Sequence, residues 1–142
     1  MKSIIVDTGV WYACFDKTDS HYNCSDNILR VLRESKIIIP FPTLYETINT
    51  RFAKNTHGQM GGLERFVNNP QSVQIVDDTK YKKEALDLVF RKVEQKKGYS
   101  LVDMIIRLMM EDVCLGELNV LTFNRKDFID LGQDRVFDPN DL

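Results

Sequence analysis

Short apolar runs alternate along the chain with longer stretches in which apolar positions return every third or fourth residue. Ser3-Ile4-Ile5-Val6, Ile37-Ile38-Ile39, Val73-Gln74-Ile75-Val76 and Asn119-Val120-Leu121-Thr122-Phe123 are rich in β-branched residues and bounded by polar or turn residues, which predicts strands. Residues 8–15 predict a helix capped by Asp7 or Thr8. Residues 24–35 predict another, with Ile28, Leu29, Val31 and Leu32 on one face. Pro42-Thr43 opens a third, running through Leu44, Tyr45, Ile48 and Phe52. Leu63, Phe66 and Val67 mark a short helix that stops near Asn69-Pro70. Residues 79–97 carry Tyr81, Ala85, Leu88, Val89 and Val93 in helical register, with Gly98 as the stop. Residues 100–115 form the most apolar helical stretch, expected to be buried and ended by Gly116. Asp127-Phe128-Ile129 starts a helical turn, and residues 135–137 read as a last edge strand. Strands alternating with helices imply parallel βα units. The expected class is α/β: a mostly parallel central sheet of four to five strands flanked by helices.

At 142 residues the chain is expected to form a single domain over 1–142, long enough for one core. The 43% hydrophobic and 28% charged shares are ordinary for a globular protein. No apolar run approaches the ~20 residues of a membrane span, and the first is too short for a signal peptide, so no membrane and a cytoplasmic location are expected. Cys14, Cys24 and Cys114 lack CxxC spacing and read as free thiols; Cys14 and Cys114 lie in apolar context, as small buried hydrophobes do. His21 and His57 have no partner at zinc-ligand spacing and read as loop residues. A net charge of −2 gives no general attraction to nucleic acid. Any such contact must be local, and Arg51, Lys54, Arg125 and Lys126 are the candidates; Lys80, Lys82, Lys83, Arg91, Lys92, Lys96 and Lys97 read as a solvated helix face. Trp11, Tyr12 and Phe15 follow Asp7 closely, and their helical spacing favours packing in the core or a dimer over stacking on a base.

The chemistry lies in the acids. Asp7 closes the first strand, Glu46 follows the second across a Pro40-Phe41-Pro42 turn, and Asp103 opens the most apolar helix. In a parallel α/β sheet, ligands bind beyond the carboxyl ends of the strands. Thr43-Leu44-Tyr45-Glu46 and Ser100-Leu101-Val102-Asp103 also fit the capping box, so each acid has a purely structural reading. Capping and metal binding are compatible, because a carboxylate offers several lone pairs. Hard oxygen ligands gathered at one place suit Mg²⁺ or Mn²⁺.

The ordered fragments Ile4-Ile5-Val6-Asp7-Thr8-Gly9, Pro42-Thr43-Leu44-Tyr45-Glu46, Ser100-Leu101-Val102-Asp103 and Leu121-Thr122-Phe123-Asn124-Arg125-Lys126-Asp127-Phe128 resemble PIN-domain ribonucleases, in particular the toxins of VapBC toxin–antitoxin pairs. The resemblance implies a Rossmann-like sheet with Asp7, Glu46 and Asp103 as catalytic acids holding one or two Mg²⁺ or Mn²⁺ ions. It implies RNA as substrate, a small antitoxin protein as partner and a homodimer. Many PIN domains have an aspartate where this chain has Asn124, so the site loses a negative charge; Asp127, three residues on, is either a substitute ligand or a cap of the following turn. The resemblance implies that Thr8, Ser100 and Thr122 position water or phosphate, with ordinary capping as the alternative reading; Arg125 and Lys126, flanking the fourth motif, are the candidate substrate contacts.

Two other classes compete. One is a PIN-like module for RNA binding or interaction whose catalytic site has decayed, motivated by Asn124. The other is phosphotransfer on a similar fold. A dehalogenase-type phosphatase wants a second aspartate where Gly9 stands, and the Asp77-Asp78 pair follows the wrong strand for a receiver domain. No P-loop or GxGxxG pattern is present.

Overall fold

The computed structural model of the chain describes residues 3–54, 59–94 and 98–142. His57, Lys96 and Lys97, and the side chains of Arg51 and Lys92, lie outside the described residues. Five strands, β1 (Ser3–Val6), β2 (Lys36–Pro40), β3 (Val73–Val76), β4 (Leu118–Leu121) and β5 (Val136–Phe137), form one sheet in the order β3-β2-β1-β4-β5. Every pairing is parallel. The described helices are α1 (Thr8–Phe15), α2 (Ser25–Arg33), α3 (Phe41–Thr47), α4 (Thr50–Lys54), α5 (Met60–Val67), α6 (Lys82–Glu94) and α7 (Leu101–Glu111).

The inner strands read as unbroken apolar runs because both sheet faces are covered. Successive side chains point to opposite faces, and the core divides accordingly. Ile4, Val6, Ile37, Ile39 and Leu121 join Val10 and Trp11 of α1, Ile28 and Leu32 of α2, Phe52 and Leu63. Ile5, Ile38, Leu118 and Val120 face the other way, onto Ala85 of α6 and Met104, Ile105, Ile106 and Met109 of α7. Each fully buried side chain of this size contributes roughly 1.5–3 kcal/mol of transfer free energy. Trp11 and Phe15, placed close after Asp7, are core residues: they stack on each other and meet Phe66 edge-on.

Four expectations need correction. The helix opened by Pro42-Thr43 is two helices. Asn49 breaks it by local hydrogen bonding: its Nδ2 donates to the Glu46 carbonyl at 2.8 Å, while its Oδ1 accepts the Phe52 N–H of α4 at 3.1 Å. Thr43 is not an N-cap, because α3 begins at Phe41 and the Thr43 hydroxyl donates back to the Pro40 carbonyl. The most apolar helix stops at Glu111, before Gly116, because the Asp112 carboxylate accepts the Cys114 N–H and starts a 3₁₀ turn. Cys114 in that turn is exposed; Cys14 is buried, as expected, and burial pushes its thiol up to about 12.

The order of strands positions the site. From β1 the chain steps through β2 to β3 on one side, then crosses to β4 and β5 on the other. The reversal falls between β1 and β4, and the crevice beyond their carboxyl ends is where such sheets bind ligands.

Candidate active site

Asp7 leaves the end of β1 directly into α1. Its N–H extends the β1–β4 pairing by donating to the Leu121 carbonyl, and its carboxylate caps α1 by accepting the Thr8 N–H at 2.7 Å. The second carboxylate oxygen accepts the Thr122 hydroxyl at 2.8 Å. Thr122 is fully buried at the end of β4 and takes the Asn124 N–H at 2.9 Å on the same oxygen. The first and fourth motifs thus meet through one hydroxyl.

Glu46 arrives from β2 on α3. The Thr8 hydroxyl donates to its Oε2 at 2.8 Å, and the Tyr12 hydroxyl donates to its backbone carbonyl at 2.9 Å. Its carboxylate therefore binds the start of α1 rather than capping its own helix. Tyr12, whose spacing favours packing over stacking on a base, packs its ring edge-on against Phe52 and braces Glu46 with its hydroxyl.

Asp103 lies in the first turn of α7. Ser100 is the N-cap, and its hydroxyl oxygen accepts the Asp103 N–H at 3.0 Å. Here the capping reading holds, and it does not displace the chemical one. Asp127 comes from a 3₁₀ turn, Arg125–Asp127, that follows β4.

The electrostatics join these acids. Burial pushes the Asp7 carboxyl above its ordinary value; hydrogen bonds from Thr122 and Thr8 oppose this, and the negative charges of Glu46 and Asp127 add to the rise. Burial also raises Asp103, against hydrogen bonds from Ser100, and Asp7 and Asp127 push it further. The ionised neighbours acting most strongly on both groups are thus other carboxylates. Like charges within reach of one another disfavour ionisation, and a hard divalent cation relieves that cost. By the chemistry of its donors, the set fits Mg²⁺ or Mn²⁺. Among the described residues, no three acidic, histidine or cysteine side chains close into a preformed metal cage. The fit therefore lies in charge and donor type alone.

The remaining sequence candidates divide. Thr8, Ser100 and Thr122 each contact an acid of the cluster. Asn124 is exposed and its side chain makes no capping bond. Lys126 is exposed, whereas the Arg125 guanidinium leans toward Asp141 at 3.7 Å. A cavity of about 600 Å³ lined by Met110, Asp112, Val113, Glu117 and Arg135 lies at the opposite end of α7, away from the acids.

Sequence reasoning missed the contacts of four residues. Tyr12 and Asn49 hold the Glu46 backbone, and no local pattern announces a contact between α1 and α3. Arg107, a lone cation in the apolar α7, donates to the Asp127 carbonyl at 2.6 Å. Its position four residues after Asp103 was the available signal. His21, expected as a plain loop residue, stacks on Phe123 with ring centroids 4.1 Å apart.

No family model matches the chain by sequence, and no curated protein does. Among solved structures the chain is similar to VapC20 of Mycobacterium tuberculosis, described as a sarcin-ricin loop cleaving toxin. The likeness covers 85% of this chain and 91% of that one, with a TM-score of 0.64 at 15% identity. The fold expected from the four ordered fragments is borne out: the chain has the VapC-like PIN-domain fold.

Proposed function

We propose that the protein is a Mg²⁺- or Mn²⁺-dependent ribonuclease that hydrolyses RNA phosphodiester bonds and acts as the toxin of a toxin–antitoxin pair. The observation that carries this reading is the joint placement of Asp7, at the end of β1 and tied to Thr122, and Asp103, in the first turn of α7. They lie far apart in sequence, burial raises both, and each is acted on by further carboxylates. A core has no use for such a cluster, whose ionisation costs stability. The likeness to a sarcin-ricin loop cleaving toxin points to RNA rather than to another phosphate ester.

Asp7, Asp103 and Glu46 would hold the ion, with Asp127 beside them and Asn124 as a neutral oxygen donor at the rim. The ion would polarise the scissile phosphate and make a nucleophilic water available near neutral pH. Thr122 fixes the rotamer of Asp7, so one carboxylate orientation is selected before substrate arrives. Thr8 holds Glu46 by one oxygen and leaves the other to orient a water. Ser100 keeps Asp103 at the end of a rigid helix. Lys126 and Arg125 would meet the RNA backbone on the Asp127 side. Residues 1–142 would act as one domain in the cytoplasm, as a homodimer silenced by a small antitoxin protein. Among the described residues no helix is long and apolar enough to cross a membrane.

The test is cleavage of a structured RNA with Mg²⁺ or Mn²⁺, with chelator, and with Asp7→Asn or Asp103→Asn. Cleavage that needs the metal and both aspartates is expected; cleavage at the wild-type rate in either variant ends the proposal.

A further inference from the structure

Arg107 stands one turn after Asp103 on the same face of α7. Its side chain is only 12% exposed. Nη1 donates to the Asp127 backbone carbonyl at 2.6 Å and to Asp130 Oδ1 at 2.8 Å, while Nη2 donates to Asp130 Oδ2 at 2.6 Å. The guanidinium carbon sits 4.4 Å from the ring centroid of Tyr99, the buried residue preceding the Ser100 cap. One planar group thus touches the entry to α7, α7 itself, and the turn bearing Asp127.

We infer that Arg107 is a positioning residue that clamps the Asp127 turn against α7 and so sets the spacing between the Asp103 and Asp127 carboxylates. An ion pair whose acid is half exposed is weak evidence for stability, because solvent screens its attraction. What a guanidinium supplies, and Met or Leu does not, is a rigid fork that fixes the direction of its acceptors. The clamped turn follows β4 outside the sheet, as consecutive 3₁₀ pieces, Arg125–Asp127 and Ile129–Leu131. Phe128 anchors its middle in the core, and Arg107 fixes the two aspartates on either side, Asp127 and Asp130. Asp7 needs no equivalent, since Leu121 and Thr122 hold it from β4. The acidic site therefore has one half built on the sheet and one half on a turn that Phe128 anchors and Arg107 orients.

This inference rests on the metal-dependent reading above, and Mn²⁺ titration calorimetry on the full chain separates the two. Arg107→Met and Asp130→Asn are each expected to weaken Mn²⁺ binding about tenfold or more, the usual cost of losing a group that orients a ligand. Arg107→Lys, which keeps the charge and loses the fork, is expected to fall with them. Lys80→Gln, which breaks an ion pair remote from the acids, should bind Mn²⁺ as the wild type does. In an Asp127→Asn background, Arg107→Met should cost no further affinity, whereas a merely structural role would give additive losses. If Arg107→Met does not fold by circular dichroism, the half-exposed Asp130 variant carries the test. Wild-type affinity in the folded brace variants overturns the role of Arg107 and leaves the nuclease standing. A wild-type chain that takes up no Mn²⁺ overturns both.

Discussion

The two ends of α7 carry one aspartate each, and they behave in opposite ways. The helix dipole favours a carboxylate at the N-terminus, where Asp103 sits, and disfavours one at the C-terminus, where Asp112 sits. The directions are reversed: burial raises Asp103 above the ordinary value, and hydrogen bonds from Lys80 and Tyr81 hold Asp112 far below it. Neighbours decide. Asp112 accepts from the Lys80 ammonium and the Tyr81 hydroxyl at 2.6 Å each, and from the Cys114 N–H. Asp103 is partly buried and faces Asp7 and Asp127. The dipole is worth about 0.3–1 kcal/mol and is easily overruled by direct contacts. Asp112 is an acid used for structure, tying α6 to α7; Asp103 is an acid kept in an unfavourable state.

The sharpest way to break this contrast is to neutralise each acid in turn. Asp103→Asn and Asp7→Asn are expected to lower metal-dependent RNA cleavage at least about a hundredfold, since even groups behind a metal ligand cost ten- to a hundredfold. Asp112→Asn should leave cleavage of the folded protein unchanged and lower its thermal midpoint. Cleavage that follows Asp112 instead would put the chemistry at the wrong end of the helix.

Stability should move the other way. In metal-free protein, Asp7→Asn removes a buried, repelled charge and can retain both contacts: its amide oxygen accepts from Thr8 N–H, and its NH₂ donates to Thr122. A gain of about 0.5–2 kcal/mol in urea denaturation is expected, as when a strained functional group is relieved. Saturating Mn²⁺ should reverse the ranking. At a hundred times its dissociation constant the ion adds about 2.7 kcal/mol to the protein that binds it, and the variant gains little. A variant destabilised without metal would mean that Asp7 is an ordinary cap.

The same contrast has a pH signature. Asp112 is depressed, so its stabilisation is full above the ordinary 3.8 and is lost as pH falls through its folded value. Asp7 and Asp103 are raised, so their contribution to stability is full below 3.8 and is lost as pH rises through their folded values. Asp112→Asn should flatten the acid limb of a stability–pH curve, and Asp7→Asn the decline on the other side. Mn²⁺ affinity should fall on acidification at a pH above the ordinary aspartate value, because protons compete for the raised acids. A midpoint at 3.8 would contradict the shifts at Asp7 and Asp103.

Most of the sheet could be read from the chain, because a sheet covered on both faces leaves β-branched runs that no surface helix imitates. The position of Asp7 was legible for a related reason: it sits where the apolar run of β1 ends, whereas Asp103 was marked by the Ser100 cap that opens α7. The breaks in helices were not legible. Asn49 ends α3 by bonding across the break, and Asp112 ends α7 with help from Lys80 and Tyr81, which are distant in sequence. Thr43 matched a capping pattern, yet its hydroxyl found the nearer Pro40 carbonyl. Local motifs name what a side chain can bind; only the fold decides which acceptor is closest.

The smallest expected effect belongs to Asn124, where PIN domains commonly place an acid. Its backbone N–H is already tied to Thr122, which in turn holds Asp7, while its side chain is exposed. Asn124→Asp therefore adds a charge near the acids without disturbing the core. Metal-free stability should stay within about 0.5 kcal/mol, as for surface substitutions generally. Mn²⁺ affinity should rise severalfold, because a neutral oxygen donor becomes an anionic one at a site that selects hard cations by charge. Calorimetry on the single variant reads both the affinity and the number of ions bound. A second ion appearing in the Asn124→Asp variant would mean that the natural asparagine limits the site to one. Unchanged affinity would mean that the rim position is too exposed to count, leaving Asp127, clamped by Arg107, as the fourth ligand.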